Sequence, residues 1–334
     1  MTSKHRIARE VHIVRRPDGP LSADDFVVAE QPLADLAPGE FLIANRLLSI
    51  DPVRRVFFAN GTAPLNAGLH SFAIGQVLES RHPDYAPGEI VGHYRGLRDL
   101  AIGRGEETRK IPVGEDPLEW HMGPLGVGGF FAYVGLIEAA RVRPGESVLV
   151  SSAAGSVGSL AAQLARLIGC RVVATVGSPD KQAWLTDVAG VERVIDYKRG
   201  DWRERLAAAL PDGLDVYFDN VGGAQLDAAL SLINPHGRVA VCGMVSTYDS
   251  VAPFSERAGA WTWRMMTSQV ELKSYHVRDH QRLWPAFQRS VGDWLRSGAI
   301  RTETQVLDSL EAVPQAFVDL IAGKGLGKTV VRLS

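Results

Sequence analysis

The stretch Val148–Gly158 combines the residue types and the spacing of a site for a phosphate-bearing cofactor. An apolar run ending at Val150 leads into small residues and then into the Ala- and Leu-rich segment Ser159–Ile168. A strand that turns tightly into a helix presents free backbone N–H groups and a helix N-terminus, which suit the diphosphate of a dinucleotide. The three positions of the glycine fingerprint hold Ala153, Gly155 and Gly158. We therefore predict a dinucleotide-binding turn whose first glycine is replaced by alanine.

The residues after the next two predicted strands indicate which nucleotide binds. The strand that ends at Val176 is followed by Gly177 and Ser178, where an acidic residue normally holds the adenosine ribose hydroxyls. Lys181 and Tyr197 follow, and a lysine and hydroxyls can donate charge-assisted hydrogen bonds to a 2′-phosphate. This pattern favours NADP over NAD. The alternative is that Ser178 only caps the next helix and that Lys181 is a solvated side chain of its first turn.

Two further loops place small and polar residues at predicted strand ends. Asp219–Gly223 ends the fourth strand of the series, and Cys242–Tyr248 ends the fifth. Ligands of doubly wound sheets bind at the carboxyl ends of the strands, so we expect both loops to line the nicotinamide side of the cofactor. The alternative is that both are ordinary turns between strand and helix.

The cysteines and histidines give no metal-binding pattern. The chain has two cysteines, Cys170 and Cys242, and nine histidines, with no Cys-x-x-Cys pair and no His-Glu-x-x-His motif. We therefore expect no metal site. Two cysteines fit a reducing compartment and no disulfide framework.

The composition is that of an ordinary globular protein. The 334 residues are 46% hydrophobic and 22% charged, with a net charge of −2, so no nucleic-acid partner is expected. No apolar run is long enough to span a bilayer, and residues 1–6 lack the apolar segment of a secretory signal. We expect a cytoplasmic protein of two domains that binds a small-molecule substrate.

The sequence predicts mostly short strands in the first part of the chain and alternating strands and helices after it. The predicted strands are Arg9–Val14, Phe26–Glu30, Glu40–Ser49, Ala73–Glu79, Glu89–His93, Ser147–Ser152, Arg171–Val176, Arg193–Asp196, Leu214–Asp219, Gly237–Gly243, Val270–Val277, Thr302–Leu307 and Thr329–Leu333. The predicted helices are Phe130–Ala140, Ser156–Ile168, Pro179–Val188, Asp201–Leu210, Ala224–Ile233, Asp279–Ser297 and Leu310–Ala322.

This alternation predicts an α/β fold of two domains. Residues 1–125 contain short strands between Pro and Gly turns, which favour a partly closed antiparallel barrel. Residues 126–298 alternate apolar strands with amphipathic helices, which favour a doubly wound parallel sheet. Residues 299–334 are too few to fold alone, and we expect them to complete the first domain.

A series of short motifs runs along nearly the whole chain. They are Arg16-Pro-x-Gly19, Ser49-x-Asp-Pro52 with Arg55, Ala132-Tyr-x-Gly-Leu136, Pro144-Gly-Glu146, Ser152-Ala-Ala-Gly-Ser-Val-Gly158, Gly169-Cys170, Gly177-Ser178 with Lys181, Asp215-Val-Tyr-Phe-Asp-Asn-Val-Gly-Gly223, Cys242-Gly243 and Gly327-Lys328. Together they resemble the zinc-independent medium-chain dehydrogenase/reductase family. Within it they resemble the leukotriene B4 12-hydroxydehydrogenase/prostaglandin reductase group of NADPH-dependent alkenal and enone reductases.

The resemblance implies a GroES-like barrel, a Rossmann domain, a homodimer and NADPH as cofactor. The cofactor-binding residues that follow from it and from the motifs are Gly155, Ser156, Val157, Gly158, Ser159, Gly177, Ser178, Lys181, Tyr197, Asn220, Cys242, Gly243, Met244, Val245, Ser246, Thr247, Tyr248, Tyr275, His276 and Val277. The implied substrate pocket contains Val53, Arg55, Phe131 and Tyr248.

The implied reaction is the reduction of a carbon–carbon double bond conjugated to a carbonyl. Hydride goes from the nicotinamide to the β-carbon, charge develops on the carbonyl oxygen, and a proton reaches the α-carbon, with no need for a metal. Tyr248 is the candidate catalytic residue that donates to this oxygen; the alternative is a loop tyrosine packed on the barrel. Arg55 is either an orienting cation or part of an interdomain salt bridge, and Asp51 is expected to be a turn or capping residue.

The chain departs from the pattern of the family on the substrate side. Asp51-Pro-Val-Arg-Arg55 stands where the family commonly has Asp-Pro-Tyr-Met-Arg, and Phe131 stands where it commonly has threonine. We predict an NADPH-dependent enone or alkenal reductase. A zinc-free quinone reductase is the first alternative. A non-catalytic NADPH-binding sensor is the second, because the bulky Phe131 ring could cover the nicotinamide.

Overall fold

The computed structural model describes residues 6–112, 114, 116–248 and 258–333. The chain forms two compact units. The first contains the residues up to Met122 and those from Thr304 onward, and the second is Gly123–Glu303. Within the described ranges every helix is too short or too polar to traverse a bilayer.

The first unit is built mainly from antiparallel strands. Its strands, numbered in chain order, are β1 (Arg6–Ile13), β2 (Phe26–Leu33), β3 (Glu40–Ser49), β4 (Ala73–Ser80), β5 (Ile90–His93), β6 (Leu100–Arg104), β7 (Thr108–Lys110), β14 (Thr304–Asp308) and β15 (Lys328–Arg332). Its helices are α1 (Arg54–Ala59), α2 (Leu118–Met122) and α10 (Val313–Ile321). The main sheet has the order β14-β15-β3-β4-β5-β7 with β6 on β3, and β1 pairs with β2.

The C-terminal segment belongs to the first unit because it completes the core of that unit. Phe317 on α10 packs edge-on against Phe58, with ring centroids 5.3 Å apart, and Phe58 packs likewise on Phe26 at 5.4 Å. All three rings are buried. Strand β15 also pairs with β3, in the register Val331 to Leu48.

The second unit is a parallel sheet covered by helices. Its strands are β8 (Ser147–Val150), β9 (Arg171–Val176), β10 (Arg193–Asp196), β11 (Leu214–Asp219), β12 (Ile233–Val241) and β13 (Glu271–Ser274). Its helices are α3 (Val127–Val134), α4 (Ser156–Ile168), α5 (Pro179–Ala183), α6 (Trp202–Ala209), α7 (Gly223–Leu232), α8 (Ala258–Ser268) and α9 (Trp284–Arg296). The strand order is β10-β9-β8-β11-β12-β13, so the winding reverses between β8 and β11. Ligands bind at such a reversal, outside the carboxyl ends of the strands.

Several predicted elements differ from the observed ones. Strands β6 and β7 and helices α1, α2 and α8 were not predicted, because they are short or lack a clear hydrophobic period. The predicted helix at Phe130–Ala140 starts earlier, at Val127, and widens into a π-turn over Gly135–Ala139. Gly135 lies at this widening, and a Cβ there would be 2.3 Å from the Tyr275 hydroxyl. A long-range contact therefore shapes this helix.

Candidate cofactor-binding and active site

The turn between β8 and α4 has the geometry of an anion-binding site. Gly155 is the N-cap of α4 and makes no side-chain cap hydrogen bond. The first N–H groups of a helix have no intrahelical acceptor and carry a partial positive charge, so this end of α4 offers donors to an anion. Ser152 turns the chain with a positive φ of 49°.

The glycine pattern of this turn follows from contacts with its own backbone. A Cβ on Gly158 would lie 2.3 Å from the Ser152 carbonyl oxygen, so only glycine allows α4 to approach the turn this closely. Ala153, in contrast, is fully buried with its methyl group accommodated. The missing first glycine is therefore compatible with a phosphate-binding turn.

The ends of β9 and β10 form a cationic and hydroxyl-bearing edge. A Cβ on Gly177 would be 2.8 Å from the Tyr197 hydroxyl, so the tyrosine ring covers this glycine. Ser178 caps α5 by accepting from the Lys181 N–H at 3.5 Å, which is the capping role foreseen as the alternative for Ser178. Partial burial lowers the pKa of Lys181, and the nearby charge of Lys198 lowers it further. The two lysines thus lie close enough to repel each other.

Asp219, at the end of β11, holds the neighbouring loop in place. Its carboxylate accepts hydrogen bonds from the Tyr217 hydroxyl at 2.7 Å and from the Val221 and Gly222 N–H groups at 2.9 and 2.8 Å. Burial raises the pKa of Asp219, and these hydrogen bonds oppose the rise. The motif around Asp219 is therefore explained in part by the hydrogen bonds that hold this loop in its conformation.

Asn220 joins the turn after β8 to the loop after β11. Its side-chain amide donates to the Ser151 carbonyl at 2.7 Å, and its backbone N–H donates to the Ser151 hydroxyl at 2.8 Å. The Asn220 carbonyl accepts from the Val245 N–H at 3.2 Å. Three strand ends of the predicted cofactor site are connected in this way.

Tyr248 lies at the end of the loop Cys242–Tyr248 after β12 and is partly buried. Cys242 and Gly243 donate their N–H groups to the Asp219 carbonyl at 2.8 and 3.0 Å, which fixes the start of the loop. Burial raises the pKa of Tyr248, and a hydrogen bond from the Met244 backbone opposes the rise. The hydroxyl is thus protonated at neutral pH.

Tyr275, after β13, is hydrogen-bonded to two other predicted site residues, Phe131 and Cys242. Its hydroxyl donates to the Phe131 carbonyl at 2.9 Å and is also hydrogen-bonded to the Cys242 thiol. Burial raises the pKa of that thiol to about 11, so it stays protonated and unreactive. The Phe131 ring lies 6.0 Å from the Tyr275 ring and 6.1 Å from the His276 ring, centroid to centroid. This link joins residues far apart in sequence, and no local pattern predicts it.

The residues of the first unit that the sequence predicts for the substrate pocket lie in and beside α1. Val53 is exposed, whereas Arg55 is 1% exposed and donates from Nη2 to the Gly19 carbonyl at 2.6 Å. Arg55 thus ties α1 to the Gly19 turn inside this unit. These contacts favour a structural role for Arg55 within the first unit.

Asp51 is more than the turn or capping residue expected from sequence. Its carboxylate accepts from the buried Lys328 ammonium at 2.6 Å and from the Ser49 hydroxyl at 2.7 Å. Burial of Asp51 works against its ionisation, but the charge of Lys328 and these hydrogen bonds prevail, and its pKa is below the ordinary value. Lys328 of the Gly327-Lys328 motif therefore holds the loop before α1 in place through its ion pair with Asp51.

The residues of the second unit fit NADP. The uncapped N-terminus of α4 suits a diphosphate, and Lys181 with Lys198 and the Tyr197 hydroxyl suits a 2′-phosphate, which would relieve the repulsion between the lysines. In the described part of the chain, no group of three or more His, Cys, Asp or Glu residues is arranged to hold a metal ion.

Comparison with known proteins places this arrangement in a family. Residues 156–286 match the model described as zinc-binding dehydrogenase, and residues 9–111 match the N-terminal domain of oxidoreductase. The NADPH-dependent curcumin reductase of Escherichia coli (strain K12) is 33% identical over 330 residues, covering 96% of both chains. Prostaglandin reductase 1 of Bos taurus is 33% identical over 315 residues, covering 92% of this chain and 94% of the relative.

A solved structure supports the same assignment. The crystal structure of CurA in complex with NADPH from Vibrio vulnificus has a TM-score of 0.93 and 29% identity, covering 98% of this chain and 99% of that one. The predicted α/β fold with Rossmann and GroES-like domains and the predicted NADP dependence are confirmed. The chain belongs to the medium-chain dehydrogenase/reductase family, in the prostaglandin reductase-like group of NADPH-dependent double-bond reductases.

Proposed function

We propose that this protein reduces the carbon–carbon double bond of α,β-unsaturated aldehydes and ketones. The observation that carries the proposal is the carboxyl edge of the parallel sheet. There the uncapped start of α4 follows β8, Lys181 and Lys198 follow β9 and β10, and Tyr248 follows β12. A curcumin reductase and a prostaglandin reductase among the relatives support a reduction of this kind.

The cofactor site of the proposal divides into three parts. The α4 N-terminus at Gly155–Ser159 would hold the diphosphate, because its N–H groups are free to donate. Lys181 and Tyr197 would hold the 2′-phosphate, and the loop Cys242–Tyr248 with Tyr275–Val277 would line the nicotinamide. NADPH, when bound, supplies a hydride to the β-carbon of the substrate.

Tyr248 has the chemistry of a donor to the substrate carbonyl. Negative charge develops on that oxygen as the hydride is added, and a hydrogen bond that strengthens with this charge lowers the barrier. Burial raises the pKa of Tyr248, so its hydroxyl keeps its proton at neutral pH and can donate it to a developing oxyanion.

A quinone reductase is the second candidate. The Phe131 ring on α3, with Tyr275 and His276 after β13 beside it, forms an aromatic surface. Flat conjugated rings stack on such surfaces. This surface would favour quinones or aryl enones over short alkenals.

Steady-state oxidation of NADPH tests the proposed function. We expect turnover with 2-alkenals and conjugated enones, and mass spectrometry should find a product with a saturated carbon–carbon bond and an intact carbonyl. Turnover of small quinones alone would overturn the proposal in favour of the second candidate.

Replacement of Tyr248 by phenylalanine tests its role. We expect kcat to fall about 10- to 100-fold, because one donor to the developing charge is lost. The Kd for NADPH should change little, because phenylalanine keeps the ring that lines the nicotinamide. Tyr85→Phe is the control, since the Tyr85 hydroxyl bonds to the Thr108 carbonyl within the first unit. An unchanged kcat in the Tyr248 variant would remove this residue from the mechanism.

The proposed oligomeric state and cellular location are inferred from observations outside the cofactor site. We propose a homodimer from the family resemblance, and light scattering during size-exclusion chromatography measures it. A cytoplasmic location suits the two free cysteines and a reduced nicotinamide cofactor. We also propose the domain bounds predicted from the sequence, which are 1–125 with 299–334 for the barrel domain and 126–298 for the Rossmann domain.

A further inference from the structure

Tyr275 joins helix α3 to the loop Cys242–Tyr248 through hydrogen bonds that all run in one direction. Its hydroxyl donates to the Phe131 carbonyl on α3 at 2.9 Å. A phenol has a single proton and a carbonyl can only accept. In the hydrogen bond between the two side chains, the Cys242 thiol must therefore donate to the Tyr275 oxygen. The series thus runs from the thiol through the phenol to the carbonyl.

Helix α3 is built to admit the Tyr275 hydroxyl. The Phe131 carbonyl already accepts from the Gly135 N–H within the helix, so the hydrogen bond from the tyrosine is an additional one. A Cβ on Gly135 would overlap the Tyr275 hydroxyl and would lie 2.5 Å from the Phe218 ring, so glycine leaves the room that this hydroxyl needs. The helix then widens into the π-turn Gly135–Ala139, and such turns are frequent at functional sites.

The topology of the sheet puts Tyr275 on the side opposite the predicted 2′-phosphate site. In the order β10-β9-β8-β11-β12-β13, the strands that precede Lys181 and Lys198 lie on one side of β8, and β12 and β13 lie on the other. A dinucleotide held at the start of α4 extends to both sides. A Cβ on Gly128, at the start of α3, would be 3.5 Å from the Ser156 hydroxyl at the start of α4. The Phe131 carbonyl is therefore about one helical turn from the diphosphate site.

Cys242 connects Tyr275 to the candidate catalytic residue. Tyr248 and Cys242 interact electrostatically, although they are the last and first residues of the loop. A Cβ on Gly243 would be 3.6 Å from the Tyr248 hydroxyl. The loop thus brings its last residue back beside its first two, and a contact that holds Cys242 also limits the movement of Tyr248.

We propose that Tyr275 is a positioning residue, whose hydroxyl locks α3 and the loop Cys242–Tyr248 together and so fixes the nicotinamide and Tyr248 for hydride transfer. Tyr275 acts through the Phe131 backbone and the Cys242 thiol rather than on the reacting atoms. Reacting atoms must approach to about 3–3.5 Å, and a displacement of about 1 Å can cost about 100-fold in rate. The inference rests on the proposed function, because it takes the nicotinamide to lie against these residues.

Binding of two ligands to Tyr275→Phe tests the inference without turnover. The substitution keeps the ring beside Phe131 and removes both hydrogen bonds. The ligands are NADPH and adenosine 2′,5′-bisphosphate, which has the adenosine part of the cofactor and no nicotinamide. We expect the Kd for NADPH to rise about 3- to 10-fold and the Kd for the bisphosphate to stay within about twofold. Isothermal titration calorimetry measures both constants.

The comparison of the two ligands separates positioning from a general structural effect. A loosening of the whole second unit would weaken both ligands alike. Equal changes in the two constants, or no change in either, would therefore overturn the proposal. The control is Tyr85→Phe, because the Tyr85 hydroxyl also donates to a backbone carbonyl, that of Thr108 in the first unit. It should leave both constants unchanged.

Single-turnover kinetics test the effect on hydride transfer. The protein is loaded with NADPH and mixed with a saturating enone in a stopped-flow instrument. We expect the rate constant of NADPH oxidation to fall about 10- to 100-fold in Tyr275→Phe and to be unchanged in Tyr85→Phe. A rate constant in Tyr275→Phe equal to that of the parent protein contradicts the positioning role.

A double-variant cycle tests the link through Cys242. When Cys242→Ala is added to Tyr275→Phe, we expect the rate constant to stay within about twofold of Tyr275→Phe alone, because the hydroxyl that the thiol binds is already absent. Losses that multiply would show that the two residues act separately, against the proposal. A parent protein that turns over no acceptor, combined with the selective loss of NADPH affinity in Tyr275→Phe, contradicts the proposed reaction alone.

Discussion

At the residue scale, Lys181 is the side chain that we propose distinguishes NADPH from NADH. Partial burial and the charge of Lys198 lower its pKa, so a dianionic 2′-phosphate stabilises its charged form. We expect Lys181→Ala to raise the Kd for NADPH about 10- to 100-fold and the Kd for NADH less than about threefold. Quenching of intrinsic tryptophan fluorescence measures both constants.

The control for this prediction is Lys324→Ala. The exposed Lys324 ammonium pairs with Asp319 in the first unit, 2.9 Å away, so its removal should leave both constants unchanged. Equal weakening of NADPH and NADH in Lys181→Ala would refute the phosphate role.

At the scale of the element, the close approach of α4 to its turn depends on Gly158. A methyl group there would meet the Ser152 carbonyl oxygen at 2.3 Å and the Ala153 Cα at 2.9 Å, and both are backbone atoms that yield little. We expect Gly158→Ala to lower the free energy of unfolding by about 1–3 kcal/mol and to weaken NADPH binding, because the helix N-terminus must shift. Urea denaturation and a cofactor titration measure the two effects.

Gly200→Ala is the matched substitution in the same unit. A Cβ on Gly200 would meet no atom within 4 Å, so we expect a change in unfolding free energy within about 0.5 kcal/mol. A Gly158 variant as stable as the Gly200 variant, with unchanged NADPH affinity, would show that the turn tolerates a side chain.

At the scale of the whole molecule, His93 makes stability depend on pH. This buried ring on β5 donates from Nε2 to the Asn45 side chain at 2.9 Å and accepts at Nδ1 from the Arg95 N–H at 3.1 Å, which only a neutral imidazole can do. Burial, with the charges of Arg95 and Arg98, lowers the pKa of His93 from 6.5 to about 3. Its contribution to stability is therefore complete above pH 6.5 and is lost progressively as the pH falls toward 3.

The expected loss from this histidine is about 2 kcal/mol between pH 7 and pH 5. Urea denaturation at a series of pH values measures it. His93→Gln keeps a donor and removes the titration, so the pH dependence in this range should flatten. Replacement of His236, an exposed residue of β12, by Asn should leave the pH dependence unchanged. A slope in His93→Gln equal to that of the parent protein would assign the effect to other groups.

The sequence by itself determined the features that local chemistry controls. The bounds of β3, β9, β10, β11 and α4 were predicted to the residue, because hydrophobic alternation and the glycine turn are properties of neighbouring residues. The preference for NADP followed from the missing carboxylate after Val176, and the relatives confirm it. The role of each predicted site residue stays a prediction until the variants are measured.

Only the tertiary structure decided how distant residues meet. Asp51 and Lys328, 277 positions apart, form a partly buried ion pair, and Tyr275 reaches the Phe131 carbonyl across 144 positions. These pairs form because particular strands become neighbours in the fold. Loop lengths and residue patterns do not specify which strands those are. Desolvation and charge pairing are properties of the folded surroundings, and the order of residues fixes them only through the fold.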